Sequence, residues 1–283
     1  MKKIENIPLV PACEHTAELN RLTLLICEYI QPEVIILYGH YARTPAASPH
    51  KGYEMLILTE TSHGPSSQEV CAYLNVHYPI EERQEQMLSL CLFTTDIVRK
   101  MTSRSYFLYN IRTEGILLYQ NENCHLPDRL KWKPTRAYGH LLTHAGRSLN
   151  LSKTLAEDAE RNFRNGNYRL TAFYLFQAIR EFIYAVLYTQ YGFIPEINGN
   201  IYTAYEYIHH CSEPLIRLDS SENIPLYQLL KRLSCLYELS LSENPYINPD
   251  VLPLYLEKLK SLEIAAGQFY TEKIQLLGSL QNT

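Results

Sequence analysis

The sequence predicts an α+β fold, an N-terminal α/β domain followed by an all-α helical bundle. Three observations carry that expectation. Short apolar runs, Val34–Tyr38, Tyr53–Thr59 and Met87–Phe93, alternate with stretches of helical spacing before Asn121. Beyond Asn121 these runs give way to Asn, Pro, Asp, Lys and Trp as far as about Arg136. From there on only helical periodicity recurs. A chain of 283 residues is too long for most single cores and comfortable for two, so the expected division is 1–121, a linker at 122–135, and 136–283.

In the first part, Leu19, Leu22, Thr23, Ile26 and Ile30 recur at steps that place them on one side of a helix, expected over residues 11–30. Gln31-Pro32 ends it, because the residue before a proline is pushed out of the helical region. Val34–Tyr38 is β-branched, reads as a buried strand and stops at Gly39. A loop rich in Pro, Ala, Ser and Gly then leads to the strand Tyr53–Thr59. A helix at Ser67–His77, a strand at Met87–Phe93, a helical turn at Asp96–Met101 and a short strand at Gly115–Tyr119 complete the domain.

In the second part a helix is expected over His140–Asn165, with Gly166-Asn167 as its left-handed stop. The clearest helix follows at Tyr168–Tyr191, where Ala172, Leu175, Phe176, Ile179, Phe182, Ile183, Val186 and Leu187 form one apolar stripe ended by Gly192 and Pro195. Its other face carries Gln177, Arg180, Glu181, Tyr184 and Tyr188, a polar and aromatic surface suited to lining a groove. Further helices are expected at Ile201–Cys211, Leu226–Leu241 and Pro249–Leu277, enough for a bundle.

Charge and composition narrow the function classes. With 26 basic and 30 acidic side chains the net charge is -4, so the chain as a whole does not attract a phosphate backbone. One basic cluster, Arg129, Lys131, Lys133 and Arg136, reads as a solvated connector. Seven cysteines without a CxxC pair, three of them in apolar runs, point to thiols in a reducing compartment. The N-terminus lacks the apolar stretch of a signal peptide and no run approaches the length of a membrane span, so a cytoplasmic, membrane-free protein is expected. His140 and His144 share a helical face, but two ligands with no third read as a surface pair, and no metal site is predicted. The 23 tyrosines, with Tyr184, Tyr188, Tyr191, Tyr202, Tyr205 and Tyr207 close together, are better suited to the polar edge of a helical core than to stacking bases.

The segment Ile36-Leu37-Tyr38-Gly39-His40-Tyr41-Ala42-Arg43-Thr44 resembles the strand and loop of minimal nucleotidyltransferases, whose pattern is a strand, Gly-Ser-x-Ala-Arg-Gly, a loop, and a strand bearing Asp-x-Asp. Gly39, Ala42 and Arg43 match, while His40 replaces the serine and Thr44 the second glycine. The resemblance implies a nucleotide-binding set of Gly39, His40, Arg43 and Glu54. Carboxylates at i and i+2 on a strand share a face and hold the metal ions of phosphoryl chemistry. Here Gly52 and Glu54 fill those positions, and the third-strand candidates are Ser89 and Cys91, poor magnesium ligands. Catalytic residues are therefore unknown, with Glu54 the one candidate carboxylate.

Gly166-Asn167-Tyr168 followed by AFYLFQAIREFIYAVL resembles the helix of HEPN domains, with Ala172, Leu175, Gln177, Ala178 and Glu181 at the matching positions. Nucleotidyltransferase followed by HEPN is a known fused order. HEPN ribonucleases use an Arg-x4-6-His pair, for which no such spacing is present in the later helices. Asn198 and Leu241 stand where the resemblance expects histidine and arginine, and His209-His210 are adjacent and face different ways. The resemblance implies a non-catalytic nucleotide- or RNA-binding or regulatory protein, with no cofactor and a homodimer or other protein partner in prospect. The alternatives are a divergent nucleotidyltransferase that would need Mg2+, and a helical dimerisation module.

Overall fold

The computed structural model describes residues 16–43, 52–60, 64–79, 87–101, 105–124, 132–194, 201–208, 215, 226–243 and 246–281. The fold is α+β, and the chain divides into two compact units, residues 1–103 with 107–131 and residues 104–106 with 132–283.

The first unit is built on a four-stranded mixed sheet in the order β3-β2-β1-β4, with β1 at Val34–Tyr38, β2 at Gly52–Thr59, β3 at Met87–Thr94 and β4 at Ile116–Gln120. β1 is antiparallel to both β2 and β4, and every one of its residues is buried, as an unbroken apolar run requires of a central strand. β2 and β3 are parallel. A parallel pair needs a crossover, which the intervening helix α3 (Ser67–His77) supplies. That helix opens on a capping box: Ser66 Oγ accepts from Glu69 N–H, and the Glu69 carboxylate accepts from Ser66 N–H.

Strand alternation splits the sheet's side chains between two layers. On one side Ile35, Leu37, Tyr53, Met55, Ile57 and Leu90 pack against Leu19, Leu22 and Ile26 of α1 (Thr16–Ile30) and Val70 and Leu74 of α3. On the other side the Tyr38 and Phe93 rings meet Phe107 edge-on, at 5.2 and 6.4 Å between centroids. α1 ends at Gln31, which leaves the right-handed helical region for φ +47 ahead of Pro32. α2 (His40–Arg43) follows β1, and α4 (Thr95–Met101) follows β3. Phe107 lies on α5 (Tyr106–Glu114), a helix absent from the expected elements. Its aromatic and β-branched residues carry a strand-like composition, yet Phe107, Leu108 and Ile111 are buried on one side of it. Gly115 closes α5, its N–H donating to Ile111 O at 2.9 Å, and a Cβ there would overlap Ile111 O and stand 2.7 Å from Ile36 Cγ2.

The second unit is helical: α6 (Pro134–Arg164), α7 (Tyr168–Tyr191), α8 (Ile201–Glu206), α9 (Leu226–Ser240) and α10 (Leu252–Ser279), the last preceded by a 3-10 turn at Pro249–Val251. α6 starts six residues ahead of the expected His140, with Pro134 in its first turn and an extended Lys133 before it. Proline suits that position because its missing N–H is unneeded there. Gly166 and Gly192 take the left-handed φ values of +73 and +78 that stop α6 and α7. α7 lies at the centre, packed by α6, α8, α9 and α10, with Phe182, Ile183 and Leu187 wholly buried. It is long and apolar enough to cross a membrane, but 67% of its most apolar window is buried inside the protein, so its apolarity serves the helical core. The Arg169 guanidinium, donating to Ser240 O at 2.7 Å, ties its start to the end of α9.

Candidate functional site

Of the residues expected to bind nucleotide, Gly39 and Glu54 come together where β1 ends and β2 begins. Gly39 turns the chain out of β1 at φ +75, a conformation that glycine adopts without penalty, and leads directly into α2. The register pairs Tyr38 with Glu54, and Glu54 with Ser89. Tyr53 points the other way, its hydroxyl donating to the buried Glu18 carboxylate at 2.8 Å and its ring 5.0 Å from that of Tyr41. Glu54 is therefore on the face of Tyr38 and Ser89, half-buried. Its carboxylate lies against the Gly39 Cα so closely that a Cβ at residue 39 would overlap Glu54 Oε2. The glycine is needed twice, for its φ and for the space that the carboxylate fills.

Among the described residues, the strand neighbours of Glu54 on its own face are the hydroxyl-bearing Tyr38 and Ser89. Ser89 Oγ is buried without a hydrogen-bond partner, and the Tyr38 hydroxyl is 3.2 Å from Cys91 Sγ. Glu54 is the one carboxylate in the four strands, and Gly52 sits two residues away beside Met87. The side chains of His40 and Arg43 lie outside the described residues. Among the described residues no group of three His, Cys, Asp or Glu side chains is placed to hold a metal ion. Hard divalent ions need several oxygen ligands, and among the described residues Glu54 is flanked by a serine, a tyrosine and a thiol, which are poor ligands for them.

On α7 the five groove residues share one side of the helix, and neighbouring helices pack onto both ends of the row. Gln177 Nε2 donates to the Tyr237 hydroxyl of α9 at 3.2 Å, and the Tyr237 ring stacks on Phe176 at 4.1 Å. At the other end Tyr188 stacks on His144 of α6 at 5.1 Å, and the His144 ring lies 4.2 Å from that of His140, tilted by 33°. Burial, then the nearby Glu181 and Tyr184, pushes the Tyr188 hydroxyl above its ordinary pKa. Between these ends Arg180 meets Glu181 at 3.4 Å, and its guanidinium lies 5.8 Å from the Tyr184 ring centre. His140 and His144 are thus half-buried, with rings that meet each other and Tyr188, rather than a surface pair.

Of the positions at which the HEPN resemblance expects an arginine and a histidine, Leu241 is exposed, while Asn198 and His209-His210 lie outside the described residues. Ser89, expected on the third strand, is placed beside Glu54 by the register, whereas Tyr237 is an addition from the structure that nothing local signals. No protein-family model matches the chain, and comparison with curated proteins and with solved structures gives no match.

Proposed function

We propose that the chain is a non-catalytic, nucleotide-responsive regulatory protein of the nucleotidyltransferase-HEPN type. The observation that carries this reading is the packing of the Glu54 carboxylate against Gly39. In an active nucleotidyltransferase the glycine turn faces phosphate, and carboxylates across from it carry metal. Here a carboxylate stands at the turn itself, with Ser89 and Tyr38 as strand neighbours. A nucleotide phosphate entering beside Gly39 meets a like charge and moves the Glu54 side chain, which makes occupancy something the site registers rather than something it converts.

The test is a label-transfer assay with ATP, GTP, CTP and UTP, with Mg2+ or Mn2+ and with RNA and protein acceptors, beside thermal melts with the same nucleotides. The expected result is no transfer, with a rise in melting temperature for at least one nucleotide. Transfer that disappears in Glu54→Ala makes the protein an enzyme and overturns the reading.

A further inference from the structure

The positive charge of this acidic chain is unevenly placed. From Arg129 to Ala156 the sequence holds six basic residues, Arg129, Lys131, Lys133, Arg136, Arg147 and Lys153, and no Asp or Glu, although the whole chain carries -4. Expected as a linker cluster, part of this set belongs to a helix. Lys133 caps α6, and Arg136, Arg147 and Lys153 lie within it. Arg136 and Arg147 are eleven residues apart. At 100° per residue that separation is about three turns, so the two project from the same face roughly 16 Å apart.

Lys133, Arg136 and Arg147 are exposed, and among the described residues none of the three forms an ion pair. The C-terminal half of α6 is different, because Arg161 pairs with Asp158, Arg164 with Glu160 at 2.9 Å, and Lys153 reaches Glu263 at 4.0 Å. The first turn of α6 has no acidic residue, so Lys133 and Arg136 add to the positive end of the helix dipole instead of opposing it. Among the described residues no acidic side chain pairs with Lys133, Arg136 or Arg147.

The surface between the two arginines is low. Gly139 sits on it with nothing within 4 Å of where a Cβ would be, so no contact within the chain requires a glycine there. Beside it runs an open groove of roughly 710 Å3, lined by Thr143, Arg147, Asn150 and Thr154 together with the exposed Leu142 and Leu151. We infer that this face of α6 is a docking surface for the phosphate backbone of a nucleic-acid strand, bound without sequence preference. Paired guanidinium forks along a rigid rod, with Thr and Asn donors and a flush glycine between them, suit a continuous row of phosphates. An acidic peptide would want an enclosed apolar pocket for a side-chain anchor, and this groove is open. The inference is independent of the Gly39–Glu54 reading, since it concerns another unit and another ligand.

The experiment follows fluorescence anisotropy of a 20-nucleotide fluorescein-labelled poly(U) RNA titrated with the full chain in 50 mM salt. Arg136→Glu with Arg147→Glu is compared with Lys231→Glu with Arg232→Glu on α9, which alters net charge equally; Arg136→Gln with Arg147→Gln guards against misfolding, and all are matched by thermal melts. The expected result is at least a tenfold rise in Kd for both α6 variants, less than twofold for the α9 variant, and a salt slope lower by about 1.4 for the loss of two phosphate contacts on single-stranded nucleic acid. Absence of wild-type binding, or equal weakening in the α6 and α9 charge reversals, overturns the inference. So does competition by poly-glutamate as effective as that by unlabelled poly(U), which would assign the face to an acidic protein.

Discussion

Glu54 in the first unit and the Tyr188 column in the second hold their polar groups in opposite ways. Glu54 packs its carboxylate against a glycine whose φ is +75, so that contact turns on one backbone conformation and one filled space. Tyr188, His144 and His140 are neighbouring rings shared between α6 and α7, held by ring contacts with centroids 4.2 to 6.3 Å apart. A site of the first kind fails sharply when one atom is added. The second kind weakens by degrees.

The contrast is broken most forcefully at Gly39. Gly39→Ala places an L side chain in the left-handed region, at a cost of about 1–2 kcal/mol, and drives its Cβ into the carboxylate as well, for roughly 2–4 kcal/mol in all. Urea denaturation should show the loss as a lower midpoint at unchanged slope. Adding Glu54→Gly should restore the steric part, leaving only the left-handed cost; additivity of the two changes would mean that the carboxylate does not pack on residue 39.

A smaller loss is expected on the sheet's opposite face. Tyr53→Phe removes a hydrogen bond to the Glu18 carboxylate, which is 6% exposed, and should cost about 1–2 kcal/mol because a buried acceptor loses a donor. A change below a few tenths would show that water replaces the hydroxyl. In the second unit His144→Ala should cost only about 0.5–1.5 kcal/mol, the worth of one ring pair. A loss as large as that at Gly39 would end the distinction between the two regions.

Alkaline pH sharpens the same comparison. Burial raises Tyr188, Tyr255 and Tyr270 above their ordinary value of 10.0. In the unfolded chain these hydroxyls release protons near pH 10 while the folded state keeps them, so the unfolded state binds fewer protons and stability falls as pH rises from there. Stability is unaffected by these groups below that range. Tyr188→Phe should flatten the fall measured between pH 9.5 and 11.5, about the window set by the tyrosine value. An unchanged profile would remove Tyr188 from the buried set.

Much of the first unit was legible because a strand's two-residue period tells which side chains share a face, whatever packs there. Tyr53 against Glu54 follows from parity alone. Proximity was not legible: no pattern announces that the Glu54 carboxylate reaches back to the Gly39 Cα. In the helical unit the stripe of α7 marks its buried side, but the partners of its polar side arrive from α6 and α9, far away in sequence. Basic residues before His140 read as a connector because charge alone carries no helical phase. Pro134 after an extended Lys133 was the available signal that a helix had already begun. α5 was hidden by strand-like residues in a short helix that packing alone decides.

The proposed role of Glu54 is that of a like charge beside a glycine turn instead of a metal ligand. Calorimetric titration of ATP into wild type and Glu54→Gln, each with and without Mg2+, separates these roles. A like-charge pair about 4 Å apart in water costs about 1 kcal/mol, so the variant should bind metal-free ATP roughly fivefold more tightly, and Mg2+ should bring the wild type no advantage over the variant. Wild-type binding that requires Mg2+ and is lost in Glu54→Gln would contradict the account and make Glu54 a metal-holding residue.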